Sequence, residues 1–212
     1  MADSSSKSPA EATARTQAER SATSDKALLD AAIDLILERG IEKTTLQAIG
    51  ARAGYSRGLA TYRFGSKAGL FDAICKSISH RWIAYLTRGV ADKHGIDAMC
   101  AAIDAYVSFV SDAPRDTRVL HILLCAAAAP QSNFQETAKH VYERQREDVV
   151  AWVRQGIAEG SIRSDIDPQS ESAKFVAFLS GITYLWLLDP AVIDFRKANE
   201  DFKAQLRIAL AA

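Results

Sequence analysis

The sequence predicts an all-α protein with an N-terminal three-helix helix-turn-helix domain, a larger C-terminal helical domain and about nine helices in all. Apolar residues recur at intervals of three and four from residue 24 onward, with almost no alternation of β-branched residues. Two very short helical segments follow a longer one near the N-terminus, and the turn between them begins with a glycine. The 212 residues, 48% of them hydrophobic, suffice for one small domain and one larger one.

Residues 1–22 are expected to form a disordered tail. They are rich in serine, alanine and threonine. They carry few large apolar groups whose burial would offset the entropy lost on ordering. We therefore expect the folded chain to begin at about residue 23.

The first two helices belong to a domain predicted to span residues 23–69. Ser24 is the expected N-cap of the first helix, and Gly40 is its expected end. The pattern favours Thr44 over Thr45 as the cap of the second helix, because Gln47 follows Thr44 by three residues, as in a capping box.

The third helix and the longer ones that follow are marked by similar signals. Gly54 ends the second helix, and Ser56 is expected to cap a short third helix that ends at Tyr62 or Arg63. Ser66 is the expected cap of a fourth helix, which leads into the larger domain at residues 70–212. Glycine and proline positions bound the remaining helices, predicted at 67–90, 96–112, 115–128, 132–159, 169–188 and 191–210.

The short helices lie in a window without carboxylates. The chain has 26 acidic and 26 basic residues, yet the segment from Lys43 to Phe71 contains no Asp or Glu, where average density predicts about four. The same window keeps five basic residues: Lys43, Arg52, Arg57, Arg63 and Lys67. A helix that lies against phosphates does not tolerate carboxylates, and each base that meets a phosphate releases a counterion. The window therefore predicts a surface that binds double-stranded DNA.

The same window resembles a known family. Its matching positions are Thr45, Ile49, Ala53, Gly54, Ser56, Gly58, Phe64, Ser66, Lys67 and Leu70. Their combined spacing is similar to the DNA-binding region of TetR/AcrR-type transcriptional regulators, and the resemblance covers residues 24–71. The chain departs from the usual pattern at Ala60 and Thr61, where this family commonly has a Leu-Tyr pair, and at Gly50 and Ala68.

The resemblance implies a set of DNA contacts. Thr45 and Lys67 would hold phosphates at helix N-termini, where backbone N–H groups favour anions. Arg57 would read guanine in the major groove, and a phosphate contact is its alternative role. Arg52 is expected to be a solvated helix residue. The expected DNA-binding residues are Thr45, Tyr55, Ser56, Arg57, Gly58, Leu59, Thr61, Tyr62, Arg63 and Lys67.

The tail has two possible roles beside this surface. Arg15 and Arg20 would let it reach a minor groove as an arm, and the alternative is a passive solubilising segment.

Aromatic and soft residues concentrate in the middle helices of the larger domain. A member of the resembled family would use them to line an effector cavity, whereas the alternative is an ordinary core. His121 is either an anchor for an acidic or carbonyl ligand or a satisfied core histidine. The expected ligand-binding residues are Trp82, Tyr85, Tyr106, Phe109, His121, Cys125, Tyr142, Trp152 and Phe178.

The last two helices carry a possible interface. Small residues four apart on the first of them would let another helix approach closely, and apolar residues form a stripe on the second. Both stripes either pair across a two-fold axis or pack on the chain's own core, and the resemblance favours a homodimer. The expected interface residues are Ala173, Ala177, Gly181, Tyr184, Leu188, Phe202 and Leu206.

Other classes of protein find little support in the sequence. The four histidines show no metal spacing, and no glycine-rich phosphate loop or nucleophile elbow is present, so we expect no enzyme activity, no metal and no cofactor. Three cysteines without a close pair, the lack of an apolar signal core and the lack of a membrane-length apolar run predict a cytoplasmic protein that does not bind membranes.

These signals together predict a ligand-responsive transcriptional regulator. The expected mechanism is repression at a palindromic DNA operator, with release by an unknown small-molecule effector. The alternative is a helical interaction protein of the same fold that does not bind DNA, although such a protein has no reason to keep a carboxylate-free window.

Overall fold

The computed structural model describes the backbone of residues 9–212 and the side chains of residues 19–212 other than Arg57. Within these residues the fold is all-α, as predicted, and no strand is formed. An isolated bridge joins Ile162 to Ala211. The helices are α1 (Pro9–Arg39), α2 (Leu46–Arg52), α3 (Arg57–Phe64), α4 (Lys67–Val90), α5 (Gly95–Asp112), α6 (Pro114–Ala127), α7 (Gln135–Ala158), α8 (Pro168–Leu188) and α9 (Phe195–Leu210).

The start of α1 corrects two expectations. The helix begins at Pro9, so residues 9–22 are helical rather than disordered, and Ser24 lies inside the helix instead of capping it. Ser24 is buried, and its hydroxyl donates to the Ser21 carbonyl oxygen over 2.8 Å. Proline is preorganised for the first helical position, and the alanine, glutamate, glutamine and arginine residues that follow favour helix. Residues 1–8 and the Arg15 side chain, to which the minor-groove arm was assigned, lie outside the described part.

The cap of α2 is Thr45 rather than Thr44. The Thr45 hydroxyl oxygen accepts from the Ala48 N–H over 3.2 Å. Thr44 is buried, and its hydroxyl donates to the Gly40 carbonyl oxygen over 2.9 Å, so it closes the turn after α1. Gly40 has a φ of 82°, in the region that glycine adopts without strain. The expected cap of α4 is present, because the Ser66 hydroxyl oxygen accepts from the Gly69 N–H over 3.1 Å.

The helix α9 begins four residues later than the predicted 191. The Asp189 carboxylate accepts from the N–H groups of Ala191 and Val192, which holds this segment in a turn. Asp194 then caps the helix by accepting from the Lys197 N–H over 2.9 Å. Aspartate is a strong N-cap, so its position sets the start of the helix.

The chain divides into two compact units, residues 1–73 and 74–212. The sequence placed this boundary after residue 69. In the first unit, α2 contacts both α1 and α3. The buried apolar residues of this unit come from α1, α2, α3 and the start of α4, and they include Leu28, Ile36, Ile49, Ala60 and Phe71. Helices as short as α2 and α3 depend on this packing for their stability.

The second unit is built around α5. This helix is buried along most of its length and packs against α7 and α9, while α7 packs along α8. Gly95 and Gly156 allow the start of α5 to lie close to the end of α7, because a Cβ atom on Gly156 would lie 3.0 Å from the Gly95 Cα. The core of this unit includes Met99, Ile103, Val153, Phe175 and Leu206.

Candidate nucleic-acid interface and ligand cavity

The helix-turn-helix consists of α2, a turn at residues 53–56 and α3. Gly54 has a φ of 77°, and the Tyr55 N–H donates to the Gly50 carbonyl oxygen over 2.9 Å, so the chain reverses tightly between the helices. Ser56 occupies the N-cap position of α3, but its side chain makes no capping hydrogen bond. Ala60 is fully buried.

The exposed face of this unit holds most of the expected DNA-binding residues. Tyr62 is 82% exposed, which is unusual for a large aromatic side chain. Leu59 and Tyr55 are half-buried, and the side chain of Arg57 lies outside the described part. The remaining exposed positions of the set are Thr45, Ser56, Gly58, Thr61 and Arg63.

The basic residues of the window differ in their partners. Arg52 forms a bidentate ion pair with Glu38, with N–O distances of 2.8 and 2.7 Å, and this hydrogen bond lowers the pKa of Glu38. Arg63 pairs with Asp25 of α1 over 2.9 Å and also donates to the Ser21 hydroxyl. The charge of Arg52 is thus engaged within the unit, whereas the sequence predicted a solvated helix residue.

Lys67 has partners that the sequence did not predict. Its ammonium donates to the carbonyl oxygens of Ile41 and Glu42, over 3.3 and 3.2 Å, just beyond the end of α1. The Glu42 carboxylate lies 4.0 Å away. Lys67 therefore stabilises the turn that precedes α2, whether or not it also binds a phosphate.

The second unit contains a cavity of about 80 Å³. Its lining comes from α4, α5, α6, α7 and α8. Of the nine residues expected to line such a site, six do so: Trp82, Tyr106, Phe109, His121, Tyr142 and Trp152. Trp82 packs edge-to-face on Tyr106 and Phe109, with ring centroids 5.7 and 5.9 Å apart.

Three expected lining residues lie elsewhere. The Tyr85 hydroxyl donates to the Asp112 carboxylate over 2.9 Å, away from the cavity. Cys125 is exposed. Phe178 stacks on Phe202 of α9, with 3.8 Å between ring centroids. Helical periodicity selects broad faces, and these three side chains lie beside the lining face instead of on it.

The polar groups of the cavity are mostly hydrogen-bonded within the unit. Tyr106 is partly buried, its hydroxyl lies 2.8 Å from the Thr183 hydroxyl, and desolvation of this hydroxyl raises the pKa of Tyr106 to about 12. His121 Nδ1 lies 2.9 Å from the Thr117 carbonyl oxygen, and burial lowers the pKa of His121. Burial also raises the pKa of Tyr142, which shares a hydrogen bond with Ser180.

Gln145 and Asp148 are among the polar lining residues that sequence reasoning missed. Both lie on α7 with Val141 and Trp152, at helical spacings of three and four. An ionisable residue on an otherwise apolar helix face was the available signal. Burial raises the pKa of Asp148, and the nearby Glu147 raises it further, whereas Arg144 opposes the shift.

The expected interface residues fall into two groups. Ala173, Ala177 and Gly181 are exposed on α8, and Tyr184 and Leu188 continue the strip, with 46% and 65% of their surface exposed. A Cβ atom on Gly181 would meet no atom within 4 Å. The expectation for α9 was wrong at Leu206, which is buried in the core of its own unit. Phe202 is partly buried against the same core.

The first unit contains a helix-turn-helix in a window that is rich in basic residues and free of carboxylates. The second helical unit contains an apolar cavity. Together these features define a DNA-binding transcriptional regulator. Two family models match the chain. "Bacterial regulatory proteins, tetR family" matches residues 28–74, and "BetI-type transcriptional repressor, C-terminal" matches residues 95–211. The chain belongs to the tetR family of bacterial regulatory proteins. Regulators of this family bind DNA operators and small-molecule effectors and act as dimers.

Individual relatives agree with this assignment. The regulator TtgR of Pseudomonas putida is 24% identical over 173 residues, which cover 79% of this chain and 81% of TtgR. The regulator RutR of Escherichia coli K12 is 30% identical over 149 residues, which cover 68% of this chain and 66% of RutR. Neither relative is described as an enzyme.

Solved structures share the fold. A complex of SmeT with triclosan superposes with a TM-score of 0.77 at 22% identity, covering 89% of this chain and 92% of SmeT. A TetR-family regulator from Rhodococcus sp. superposes with a TM-score of 0.77 at 20% identity, and the match covers 90% of this chain and all of the Rhodococcus chain. Among the described residues, no helix is long and apolar enough to cross a membrane.

Proposed function

We propose that this chain represses transcription as a homodimer bound to a palindromic operator, and that a small molecule in the cavity of the second unit releases it. The observation that carries this proposal is the course of α4. This helix begins at Lys67, three residues after α3 ends, and it contributes Ile78, Trp82 and Leu86 to the cavity lining. A change in the cavity therefore acts on the helix that follows the DNA-binding elements.

The size of the cavity supports a conformational response. Sites for drug-sized ligands are about 300–1,000 Å³, whereas this cavity measures about 80 Å³. An effector must therefore displace side chains or helices as it binds. Such a ligand has different affinities for the closed and the expanded states, which is the condition for a population shift.

An ion pair inside the second unit links two of the lining helices. Arg81 of α4 contacts Asp116 at the start of α6 over 2.6 Å, and the Asp116 side chain is only 6% exposed. Separating Arg81 from Asp116 would leave a buried carboxylate unpaired, which is costly, so α4 and α6 are expected to move together when the cavity expands.

The exposed strip on α8 supports the homodimer. Its small residues leave the backbone accessible, and large apolar side chains at Leu185 and Leu188 extend the surface. Exposed apolar patches of this kind mark interaction sites. A two-fold pairing of this face would place two helix-turn-helix units on one operator. DNA binding in turn implies action in the cytoplasm.

DNA contacts are proposed for the exposed face of the first unit. Arg57 begins α3, the proposed recognition helix, whose first turn reaches base edges in this kind of motif. Thr61 and Tyr62 occupy the exposed side of the same helix, and Thr45 caps α2. Helix N-termini of this type hold phosphates.

A reporter experiment tests the direction of regulation. The DNA flanking the gene for this chain is placed before a reporter, with and without the full-length protein in the same cells. A repressor lowers expression, and a variant lacking residues 46–64, which contain both short helices, does not. Higher expression with the intact protein would contradict repression.

A further inference from the structure

The charge of the cavity lining is confined to one group. Among the described lining residues, Asp148 is the one carboxylate, and no lysine or arginine is present. The histidine of the lining, His121, has a pKa lowered by burial, so it carries no charge at neutral pH. The fixed charge of the cavity is therefore negative.

Asp148 is half-buried, and its charge is only partly offset by Arg144. No hydrogen bond or ion pair joins Asp148 to another described side chain, and burial raises its pKa. Arg144 itself pairs with Glu147 over 3.1 Å on the exposed side of the helix. Partial burial of a carboxylate that has no hydrogen-bonded partner is unfavourable, and a cation in the cavity would offset that cost.

A chain of hydrogen bonds makes Tyr106 an acceptor. The Thr183 hydroxyl donates its single proton to the Leu179 carbonyl oxygen over 2.6 Å. The hydrogen bond between Tyr106 and Thr183, at 2.8 Å, must therefore use the Tyr106 proton. With its proton engaged, the Tyr106 oxygen can offer a ligand only lone pairs.

His121 presents an acceptor for a similar reason. The Thr117 carbonyl oxygen can only accept, so His121 Nδ1 carries the proton of the neutral ring. The second ring nitrogen, Nε2, then has a lone pair and no proton. Together with Asp148, three polar groups of the lining are acceptors, whereas Gln145 and the hydroxyls of Ser79, Tyr142 and Ser180 serve in either role.

Aromatic rings form much of the remaining wall. Trp82, Tyr106, Phe109, Tyr142 and Trp152 all line the cavity. The faces of such rings attract cations by their quadrupole, and desolvation strengthens the attraction. Aromatic faces and an unbalanced carboxylate favour the same kind of ligand.

We propose that the effector is an organic cation with an apolar or aromatic body and at least one N–H donor, and that Asp148 holds its charge. This inference rests on the proposed effector role of the cavity. An organic acid would meet the Asp148 carboxylate and two further acceptors, Tyr106 and His121, without a cationic partner, so the lining disfavours it. A neutral ligand would leave Asp148 unpaired.

Three probes of similar size and different charge test the inference. 2-Phenylethylamine is a cation at neutral pH, 2-phenylethanol is neutral, and phenylacetate is an anion. Each is titrated into the full-length protein by calorimetry, and the fluorescence of Trp82 and Trp152 reports whether the cavity is occupied. We expect the amine to bind at least about tenfold more tightly than the alcohol, and the acid to bind more weakly than both.

Two variants assign the preference. Asp148→Asn should reduce the preference for the amine over the alcohol to about twofold or less. Glu147→Gln makes the same change of charge one residue away, on the exposed side of α7, and should keep the wild-type preference. Circular dichroism confirms that both variants are folded.

The outcomes separate this inference from the proposed function. Tighter binding of phenylacetate, or binding without preference, would overturn the cationic assignment. Binding of none of the probes at about 10 mM, which is ten times a millimolar dissociation constant, would overturn it too. Operator binding by the same protein, measured without any probe, tests the proposed function separately. Loss of the preference in Glu147→Gln as well as in Asp148→Asn would also overturn the role of Asp148.

Discussion

The basic side chains of the carboxylate-free window show that composition does not reveal which charges meet DNA. Arg52 is neutralised by Glu38, Arg63 is held by Asp25, and Lys67 binds two carbonyl oxygens. Glu38 and Asp25 both come from α1, outside the window, so their proximity follows from tertiary packing. The sequence could predict the surface but not the partner of each base.

Arg57 is expected to supply sequence discrimination. Replacing it with alanine should cost about 1–3 kcal/mol for each bidentate contact on the operator and little on a scrambled duplex. Arg52→Ala is the matched control, because the charge of Arg52 is engaged by Glu38, and it should leave the ratio of the two affinities unchanged. Fluorescence anisotropy on both duplexes gives the ratio. Equal weakening of both duplexes by Arg57→Ala would make Arg57 a backbone contact.

Lys67 is expected to act on all DNA alike. Lys67→Ala should weaken the operator and the scrambled duplex equally and make the slope of log affinity against log salt shallower by about one unit per subunit. It should also lower the melting temperature, because the Ile41 and Glu42 carbonyls lose their donor. Titrations across a salt series measure the slope. A loss confined to the operator would contradict a phosphate contact.

Asp148 is expected to reduce stability in the absence of a ligand. Its pKa is raised by burial, so the folded state favours the protonated form. Stability from this group is complete below the unfolded pKa of about 3.9 and is lost as the pH rises through the folded pKa. At neutral pH Asp148→Asn should therefore melt at a higher temperature than the wild type, with the difference vanishing near pH 4. A lower melting temperature for Asp148→Asn at neutral pH would contradict this.

At the scale of helices, the sequence predicted the number and order of the helices well and the residues that cap or begin them less well. The predicted bounds of α4 match the structure, and those of α5, α6 and α8 differ by one residue at one or both ends. The sequence predicted Thr44 as the cap of α2 instead of Thr45. Thr44 is buried and bonded to Gly40, and the burial of a residue depends on tertiary packing. The prediction of a disordered tail up to residue 22 missed the extension of α1 back to Pro9, because the composition of the segment was given more weight than its helix propensity.

The two long stripes at the C-terminus show the same limit. Periodicity finds an apolar face but not what covers it. On α8 the small residues proved to be exposed, whereas on α9 Phe195 and Leu206 pack into their own unit. Asp148 was missed because one carboxylate in an amphipathic helix resembles a surface residue until the cavity is seen.

The exposed strip on α8 predicts a change of oligomeric state. In the protomer, a Cβ at Gly181 meets no atom, and leucine is the better helix former by about 1 kcal/mol. Gly181→Leu should therefore leave the protomer as stable as before but overpack the interface and yield monomers. Ala151→Leu on the exposed face of α7 is the control and should remain dimeric. Sedimentation velocity measures both, and a Gly181→Leu variant that stays dimeric would remove the strip from the interface.

At the scale of the whole molecule, the chain consists of two compact units, each with one proposed task. The first unit offers exposed polar and aromatic side chains in a region without carboxylates, and the second offers a cavity with one unpaired carboxylate. The two family models divide the chain in the same way. A dimer is needed to join these features into recognition of a palindrome.

Hydroxyl-radical footprinting of the full-length protein on the DNA flanking its gene tests this central claim most directly. A two-fold dimer that binds through α3 should protect two half-sites related by a palindrome, with centres about 34–36 Å or a multiple of this distance apart. Protection should weaken steeply as salt increases. The slope of log affinity against log salt should be about −5 if each subunit neutralises three phosphates. Protection of a single half-site, or protection that does not depend on salt, would contradict the account.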